Sequence, residues 1–497
     1  MAIDELRAAG FEVLPARRSS HTVLDTFDGR LHAAGLRLEH HGGPSATLLL
    51  RSADDAPPAV VDRMKPPTWP ADVPPGPFRD RIAAVTKERA LLPVVTISSQ
   101  VHEGRLLDRR GKTVVRVIVH EGVEPAGRST SAAPSWAAEV GPVAGHQDAA
   151  DTAVARLSAA GLEQLDGDLA ENVARAVGSP LSGYDSSPTV ALDPTEDAFG
   201  AFRRVLLNLA TTVEANLPGT VDDIDPEFLH DLRVAVRRTR SVLAQSKGVL
   251  PKDIRRQYRD EFGWLGQLTG PPRDLDVYLL GWDQYVAPLD PADRMTLETV
   301  RRALQDHRNT AHRQLSTHLQ SARTTELLTS WQEWLLDPTI EPKDPQPIGP
   351  VVVDRISAAQ RKVLRDGRMI TEATPAERLH DLRKDTKTLR YLLECFGGLL
   401  PSGPRKRFVS QLKDLQDNLG EHQDAEVHLT ELRELARDLH ARGDVDADVL
   451  LAMGRLSNHL ERRRREEREA FAERFAGYDT KANRRVLHAL LGEVDGA

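Results

Sequence analysis

The spacing of hydrophobic positions divides this chain into two regimes. Up to about residue 178, short apolar and β-branched stretches such as Ala46–Leu50, Val94–Ile97 and Val114–Val119 are separated by glycine- and proline-bearing breaks, the punctuation of strands and turns. Within that region Asp151–Ala160 reads as a helix. From Thr195 onward apolar residues recur at helical spacing almost everywhere, interrupted by the proline-dense run Asp337–Pro350. The polar, serine- and proline-rich stretch Ser179–Pro194 reads as a linker. These boundaries predict an α+β multidomain protein. A β-rich domain occupies 1–178, a linker 179–194, and an all-α region 195–497, with halves of about 195–336 and 351–497.

The two helical halves repeat one another. LHDLRVAVRRTR at Leu229–Arg240 matches LHDLRKDTKTLR at Leu379–Arg390, an offset of 150 residues. At the same offset Gly270, Asp274, Asp276, Val277 and Leu279 fall on Gly420, Asp424, Glu426, Val427 and Leu429. An internal duplication with a pseudo-twofold arrangement explains both matches. Asp225-Pro226 and Thr374-Pro375 each place a capping side chain before a proline suited to the first helical position, and Glu377 is set to complete a capping box.

The repeated helix concentrates charge on one side. At about 100° per residue, His230, Arg233, Arg237 and Arg240 fall at roughly 0°, 300°, 340° and 280°, an arc of about 80°. His380, Arg383, Lys387 and Arg390 fall likewise, and each stripe borders an apolar one: Leu229, Leu232 and Val236, then Leu379, Leu382 and Leu389. Like charges stacked at these spacings cost about 0.2–0.5 kcal/mol per pair, so something must offset them. A row of phosphates would do so, because arginine forms bidentate bonds to phosphate oxygens and stays charged. Acidic side chains are the alternative, since Asp274, Asp276, Asp424 and Glu426 recur at the same offset. Each histidine, once protonated, would add a cation and strengthen anion binding at mildly acid pH.

Composition changes this picture little. About 40% apolar and 28% charged residues make an ordinary globular profile. The formal net charge of −8 disfavours polyanions at long range, but screening confines that field to roughly 10 Å, so a local cationic groove can still work. The single Cys395 excludes an intrachain disulfide and a thiolate-bound zinc or iron–sulfur centre. MAIDELRAAG at the start has no basic segment followed by an apolar run, and no later stretch has the roughly 18 apolar residues of a membrane span; an intracellular, soluble protein is predicted. There is no nucleotide-binding glycine loop or nucleophile elbow. Tryptophans do not interleave with basic residues, which argues against base stacking. Arg462–Arg465 followed by Glu466 and Glu467 reads as a solvated face, and the adjacent His40 and His41 would point to opposite faces of a strand.

HDLRVAVRRTR together with HDLRKDTKTLRY resembles the two signature helices of the CHAD family, the conserved histidine α-helical domain, and the resemblance runs from Thr195 to near the C-terminus. It implies two four-helix-type bundles related by pseudo-twofold symmetry, with a basic pocket or pore that binds inorganic polyphosphate and a place on polyphosphate granules. By position it assigns binding to His230, Arg233, Arg237, Arg238 and Arg240, and to His380, Arg383, Lys384, Lys387 and Arg390. Arg255, Arg256, Arg405, Lys406 and Lys413, on the helices that follow, are further candidates. No cofactor, metal or catalytic residue is expected there.

Four segments of the first domain resemble the CYTH family, the triphosphate tunnel metalloenzymes: Val23–His41, Arg89–Gln100, Arg105–Gly122 and Trp136–Gly145. The resemblance implies an antiparallel β tunnel, and active relatives hold metal with a Glu-x-Glu-x-Lys strand and further carboxylates. This chain departs from that pattern. Asp4 and Glu5 sit in what reads as a helix, the cluster after Gly35 is Arg37-Leu38-Glu39-His40-His41, Ser98-Ser99-Gln100 replaces expected arginines, and Gly141 stands where a second carboxylate would follow Glu139. Metal-assisted phosphoryl chemistry needs both carboxylates and cations, so a catalytically inactive, CYTH-like scaffold is expected. Two rival functions remain open: a metal-dependent triphosphatase or polyphosphatase in this domain, and nucleic-acid binding by the basic groove.

Overall fold

Alternation of apolar and polar residues in the first region builds one antiparallel sheet, and helical spacing in the second builds long packed helices. The computed structural model describes every residue except 1, 9, 44–45, 53–57, 126–135, 160, 164, 166, 180, 182, 343 and 496–497. Residues 180 and 182 of the expected linker, Ala160 of the expected helix and the last two residues of the expected helical region therefore lie outside the described residues. The chain separates into two units, Met1–Asp185 and Ser186–Ala497.

The first unit contains, in order, α1 (Ala2–Ala8), β1 (Glu12–Val13), β2 (Arg17–Asp25), α2 (Arg30–Ala33), β3 (Leu36–His41), β4 (Thr47–Ser52), β5 (Ala59–Asp62), α3 (Pro77–Thr86), β6 (Leu92–Leu107), β7 (Thr113–Pro125), β8 (Trp136–Pro142), α4 (Gln147–Ala159) and α5 (Leu169–Ala176). The strands form one sheet in the order β5-β4-β3-β2-β6-β7-β8, with β1 pairing β6, and all the pairings are antiparallel. Among the described residues no pairing joins β5 to β8, so strand pairing alone does not close the expected tunnel. Valines of β7 pack with α1 and α4, while Val23, Val95 and Ile97 pack with α5. That leaves a polar interior face between them. β3 turns Arg37, Glu39 and His41 to that face, and His40 to the other, where its Nε2 bonds the Met64 carbonyl at 2.9 Å.

The second unit comprises α6 (Ala198–Val221), α7 (Pro226–Gln245), α8 (Lys252–Leu268), α9 (Gly270–Leu280), α10 (Trp282–Val286), α11 (Pro291–Leu319), α12 (Ala322–Leu336), α13 (Ile348–Arg368), α14 (Ala376–Cys395), α15 (Ser402–Arg442), α16 (Ala447–Tyr478) and α17 (Lys481–Asp495). The duplication is visible in these bounds: α6 and α13 begin 150 residues apart, and α7 and α14 both begin and end 150 apart. One break in the parallel is local. Pro271 and Pro272 interrupt the first copy between α8 and α9, whereas Glu421 and His422 let α15 run on as a single helix.

A pair of backbone bonds marks the pseudo-twofold axis. Ala198 N donates to Gln346 O at 2.8 Å and Ile348 N donates to Glu196 O at 2.9 Å, flanking an antiparallel bridge between Asp197 and Pro347. Each residue here bonds the equivalent of its own neighbour, as a twofold requires. Around this axis α6 meets α13, α7 meets α14 and α11 meets α16.

The helices do not form two bundles with separate cores. Leu229, Leu232 and Val236 of α7 share one buried cluster with Leu379, Leu382 and Leu389 of α14, and the second cluster likewise mixes α9–α11 with α15 and α16. Part of the expected linker is also fixed: Arg238 Nη1 donates to Ser186 O and Ser187 Oγ, and Val190 and Leu192 pack on the core. The two caps differ. Asp225 accepts from Glu227 N and Phe228 N at the start of α7, but Thr374 turns back to accept from Thr371 N, so α14 starts at Ala376 without a side-chain cap.

A core shared by both copies should unfold as one body. Leu232→Ala and Leu382→Ala should each cost about 2–5 kcal/mol, and the helical signal at 222 nm should still be lost in one urea transition. Separate transitions for the two halves would contradict a common core.

Candidate functional site

Across the pseudo-twofold axis α7 and α14 bury their leucine stripes and bring their cationic stripes side by side. Four of the predicted cations meet there: Arg233 and Arg237 from α7, and Arg383 and Lys387 from α14, near enough to act on one another electrostatically. Arg233 and Arg383 have matching surroundings. Arg233 Nη2 stands 3.8 Å from Asp274 Oδ1, and Arg383 Nη2 stands 3.5 Å from Asp424 Oδ1, contacts too long for strong charge-assisted bonds. Arg233 Nη1 also donates to Gly266 O at 3.2 Å, while Arg383 Nε is buried with no hydrogen-bond partner. Among the described residues Arg237 and Lys387 make no hydrogen bond or ion pair.

The electrostatics follow from burial. Burial first, then the adjacent Arg237 and Arg383, pushes the Lys387 amine down to about 6. Burial also lowers the Arg233 and Arg383 guanidinium values, against the opposite pull of Asp274 and Asp424. The same two aspartates are raised by burial although the arginines pull them down. Two loosely held carboxylates face three arginines beside a Lys387 driven toward neutrality, so positive charge remains unbalanced. Of the other acids that recur in the repeat, Asp276 is taken by Arg308 Nε at 2.7 Å, and Glu426 acts on His422.

His380 Nδ1 lies 2.6 Å from Gln423 Oε1, which fixes the ring beside the stripe, and His230 is half-buried at the equivalent place on α7. One cation escaped the sequence reading. Arg273 acts on Arg233 and Asp274, and its Nη1 is buried without a hydrogen-bond partner. Arg273 stands at the repeat position of Gln423, and following the duplication one residue before Asp274 would have found it.

Several assigned binders stand elsewhere. Arg238 is buried, clasping Glu394 Oε2 at 2.6 Å as well as the Ser186–Ser187 strap; its helical angle of roughly 80° from His230 puts it off the stripe. Lys384 is solvent-exposed and pairs with Asp381 at 3.3 Å. Arg390 lies on the stripe but is neutralised, with Nε 2.6 Å from Glu394 Oε1 and Nη1 3.3 Å from Gln416 Oε1. Arg240 carries no such partner. Arg405 Nη1 reaches the Leu393 carbonyl at 3.5 Å, in the last turn of α14, a helix-end role. Arg255 is half-buried, and Arg256, Lys406 and Lys413 are exposed on the outer face of α8 and α15. Of the late arginine run, Arg462 and Arg465 are exposed, but Arg463 is fixed by Glu421 at 2.6 Å and lies over the Tyr285 ring.

The first unit holds a separate cavity of about 780 Å³, lined among others by Arg37, Arg51, Arg116, Glu139, Asp168 and Glu171. Among the described residues, neither this cavity nor the smaller pocket that shares Arg37, Arg51 and Glu139 with it and is lined by His21, Glu39 and His41 gathers a ligand set for a divalent cation. Glu39 is buried and clasped by Arg37 at 2.7 Å, Arg51 at 3.1 Å and His41 at 3.2 Å, a set that outweighs its own burial and holds its carboxyl far below the ordinary range. Asp168 caps α5 and pairs with Arg37. Among the described residues no three His, Cys, Asp or Glu side chains converge on a metal position. Burial pushes the His21 imidazole, stacked on His41, down to about 4, so it is neutral at ordinary pH. Ser99, at an expected arginine position, bonds His120 Nδ1 at 3.0 Å.

Residues 204–433 match the family model described as the CHAD domain. Among solved structures, the chain is similar to the CHAD domain from the plant Ricinus communis, at 26% identity over 61% of this chain and 96% of that one, with a TM-score of 0.47. It is also similar to PptA from Streptomyces chartreusis, at 17% identity over 56% of this chain and 100% of that one, with a TM-score of 0.46. No curated protein matches the chain.

The buried amine yields a stability test. Between about pH 6 and 10 the unfolded chain holds a proton on Lys387 that the folded chain lacks, so this residue makes stability rise with pH across that window. Relative to Lys387→Met, the wild type should gain up to about 1.4 kcal/mol per pH unit between pH 7 and 9 in urea unfolding. A difference independent of pH would place the amine charged and solvated.

Proposed function

Because residues 204–433 carry a CHAD domain, a domain associated with polyphosphate in general, we propose that this protein binds inorganic polyphosphate at the α7–α14 contact. The observation that carries the reading is the meeting of Arg233, Arg237, Arg383 and Lys387 beside Asp274 and Asp424, which stand 3.8 and 3.5 Å from their arginines. A phosphate chain supplies the missing negative charge. Its oxygens accept bidentate bonds from the arginines and favour the charged form of Lys387, while Asp274 and Asp424 keep the empty cluster from repelling itself apart. His230, His380 and Arg273 flank this centre as further donors. Arg238 and Arg390 serve instead to fasten α7, α14 and the 186–187 strap through Glu394.

In this reading the first unit is a CYTH-like fold without catalysis, since Glu39 and Asp168 are already spent on Arg37, Arg51 and His41. The protein works as a binding module in the cytoplasm, on polyphosphate granules. No helix of the described residues is long and apolar enough to cross a membrane.

Arg233→Ala and Arg383→Ala should each weaken binding of long-chain polyphosphate by about 1–3 kcal/mol in titration calorimetry, and affinity should fall steeply with added salt. Duplex DNA and RNA should compete poorly; equal affinity for DNA would transfer the site to nucleic acid. Tripolyphosphate incubated with Mg²⁺ or Mn²⁺ should release no phosphate, and robust turnover would make the first unit an enzyme. At pH 7.5 polyphosphate binding should take up close to one proton, measured from the dependence of the binding heat on buffer ionisation, and Lys387→Met should abolish that uptake.

A further inference from the structure

The two copies of the binding helix are matched at the centre and unmatched at the ends. Arg240 and Arg390 are equivalent by the 150-residue offset, yet their surroundings have opposite character. Arg390 is closed off by Glu394, one turn along its own helix, and by Gln416 from α15. At the equivalent positions of the first copy stand Ala244 and Gly266. With no side chain at Gly266, Arg240 lies flat against α8: a Cβ there would come 3.4 Å from its Nη1, and one at Gly263 would come 4.0 Å from its Nε. Arg259 stands beside it and acts on it electrostatically, where the second copy has Val409. Neither Arg240 nor Arg259 makes a hydrogen bond or ion pair among the described residues.

Arg237 links this pair to the centre, since it acts on both Arg240 and Lys387. Among the described residues, cations without a hydrogen bond or ion pair therefore continue from Arg237 at the α7–α14 contact along α7 to Arg240 and Arg259. On the α14 side the same path stops at the Arg390–Glu394 pair.

We propose that Arg240 and Arg259, laid along the glycine-faced side of α8, form a one-sided extension subsite for the polyphosphate chain, so that a chain leaves the central cluster along the first copy and not along the second. This inference rests on the polyphosphate reading of the centre. It gives the pseudo-symmetric site a direction and a preference for length. Tripolyphosphate satisfies the centre alone, and longer chains gain the additional contacts.

The test compares long-chain polyphosphate with tripolyphosphate on the full-length protein by titration calorimetry at two salt concentrations. Arg240→Ala combined with Arg259→Ala should weaken long-chain binding about tenfold or more and leave tripolyphosphate affinity unchanged. Loss of two phosphate contacts should also reduce the slope of log affinity against log salt by roughly 1 to 2, which a merely structural role would not do. Ala244→Glu, which installs in the first copy the carboxylate that closes the second, should reproduce the long-chain loss while keeping both arginines. Arg390→Ala should leave the ratio of the two affinities as it is. Long-chain binding unaffected by both the double variant and Ala244→Glu overturns the subsite, as does an equal loss in Arg390→Ala. A wild type that binds neither polyphosphate overturns the parent reading instead.

Discussion

Like charges pressed together at a helix contact are the constraint around which the helical unit is organised. Arg233, Arg237, Arg383 and Lys387 meet because the leucines beside them are buried in a core common to both copies. Burying a leucine side chain contributes roughly 1.5–3 kcal/mol, and eleven apolar residues of the two motif helices lie in that cluster. Repulsion between neighbouring cations costs about a few tenths of a kcal/mol per pair on an exposed helix surface, and burial here adds a larger cost that Lys387 escapes by giving up its proton. Packing therefore wins, and the chain can hold a positively charged cluster that would not assemble by itself. The remaining strain is recorded chemically: the lysine is driven toward neutrality and the two facing aspartates are held above their ordinary range.

Duplication makes such a cluster economical. A helix with one cationic edge, copied and rotated onto itself, brings the edge against its own image, and the reciprocal bonds between Ala198 and Gln346 and between Ile348 and Glu196 hold that rotation in register. Divergence then acts away from the axis. Glu394 and Gln416 convert one end of the stripe into a structural clasp that also holds Arg238, while Ala244 and Gly266 leave the other end open. The centre stays symmetric because Arg233 with Asp274 and Arg383 with Asp424 remain on both sides.

Much of this was legible in the sequence, and the rest was hidden for identifiable reasons. Helical spacing and a constant offset were enough to see the repeat, since both depend only on local periodicity. They also picked out Arg233, Arg237, Arg383 and Lys387, whose angles on the helix wheel already agreed. Arg238 enters through the motif match, which carries residues by position without regard to angle, and its side chain faces Glu394. Arg390 satisfied the angle but met a carboxylate one turn on, a partner visible in the sequence and not weighed. Arg273 sits on another helix, and only tertiary packing brings its guanidinium to Arg233. The shared core was also beyond periodicity, which says which face is buried but not against what. In the first unit, alternation revealed the strands, while the interlocked Glu39, Arg37, Arg51 and His41 depend on strand neighbours that no single segment specifies.

The most direct examination is to locate a bound anion. A crystal grown with tripolyphosphate should show phosphate density between α7 and α14, within hydrogen-bond distance of Arg233, Arg237, Arg383 and Lys387, with the side chains of Asp274 and Asp424 turned away from it. Density confined to other surfaces, or a cluster closed by those two aspartates with no anion between the helices, would contradict the account.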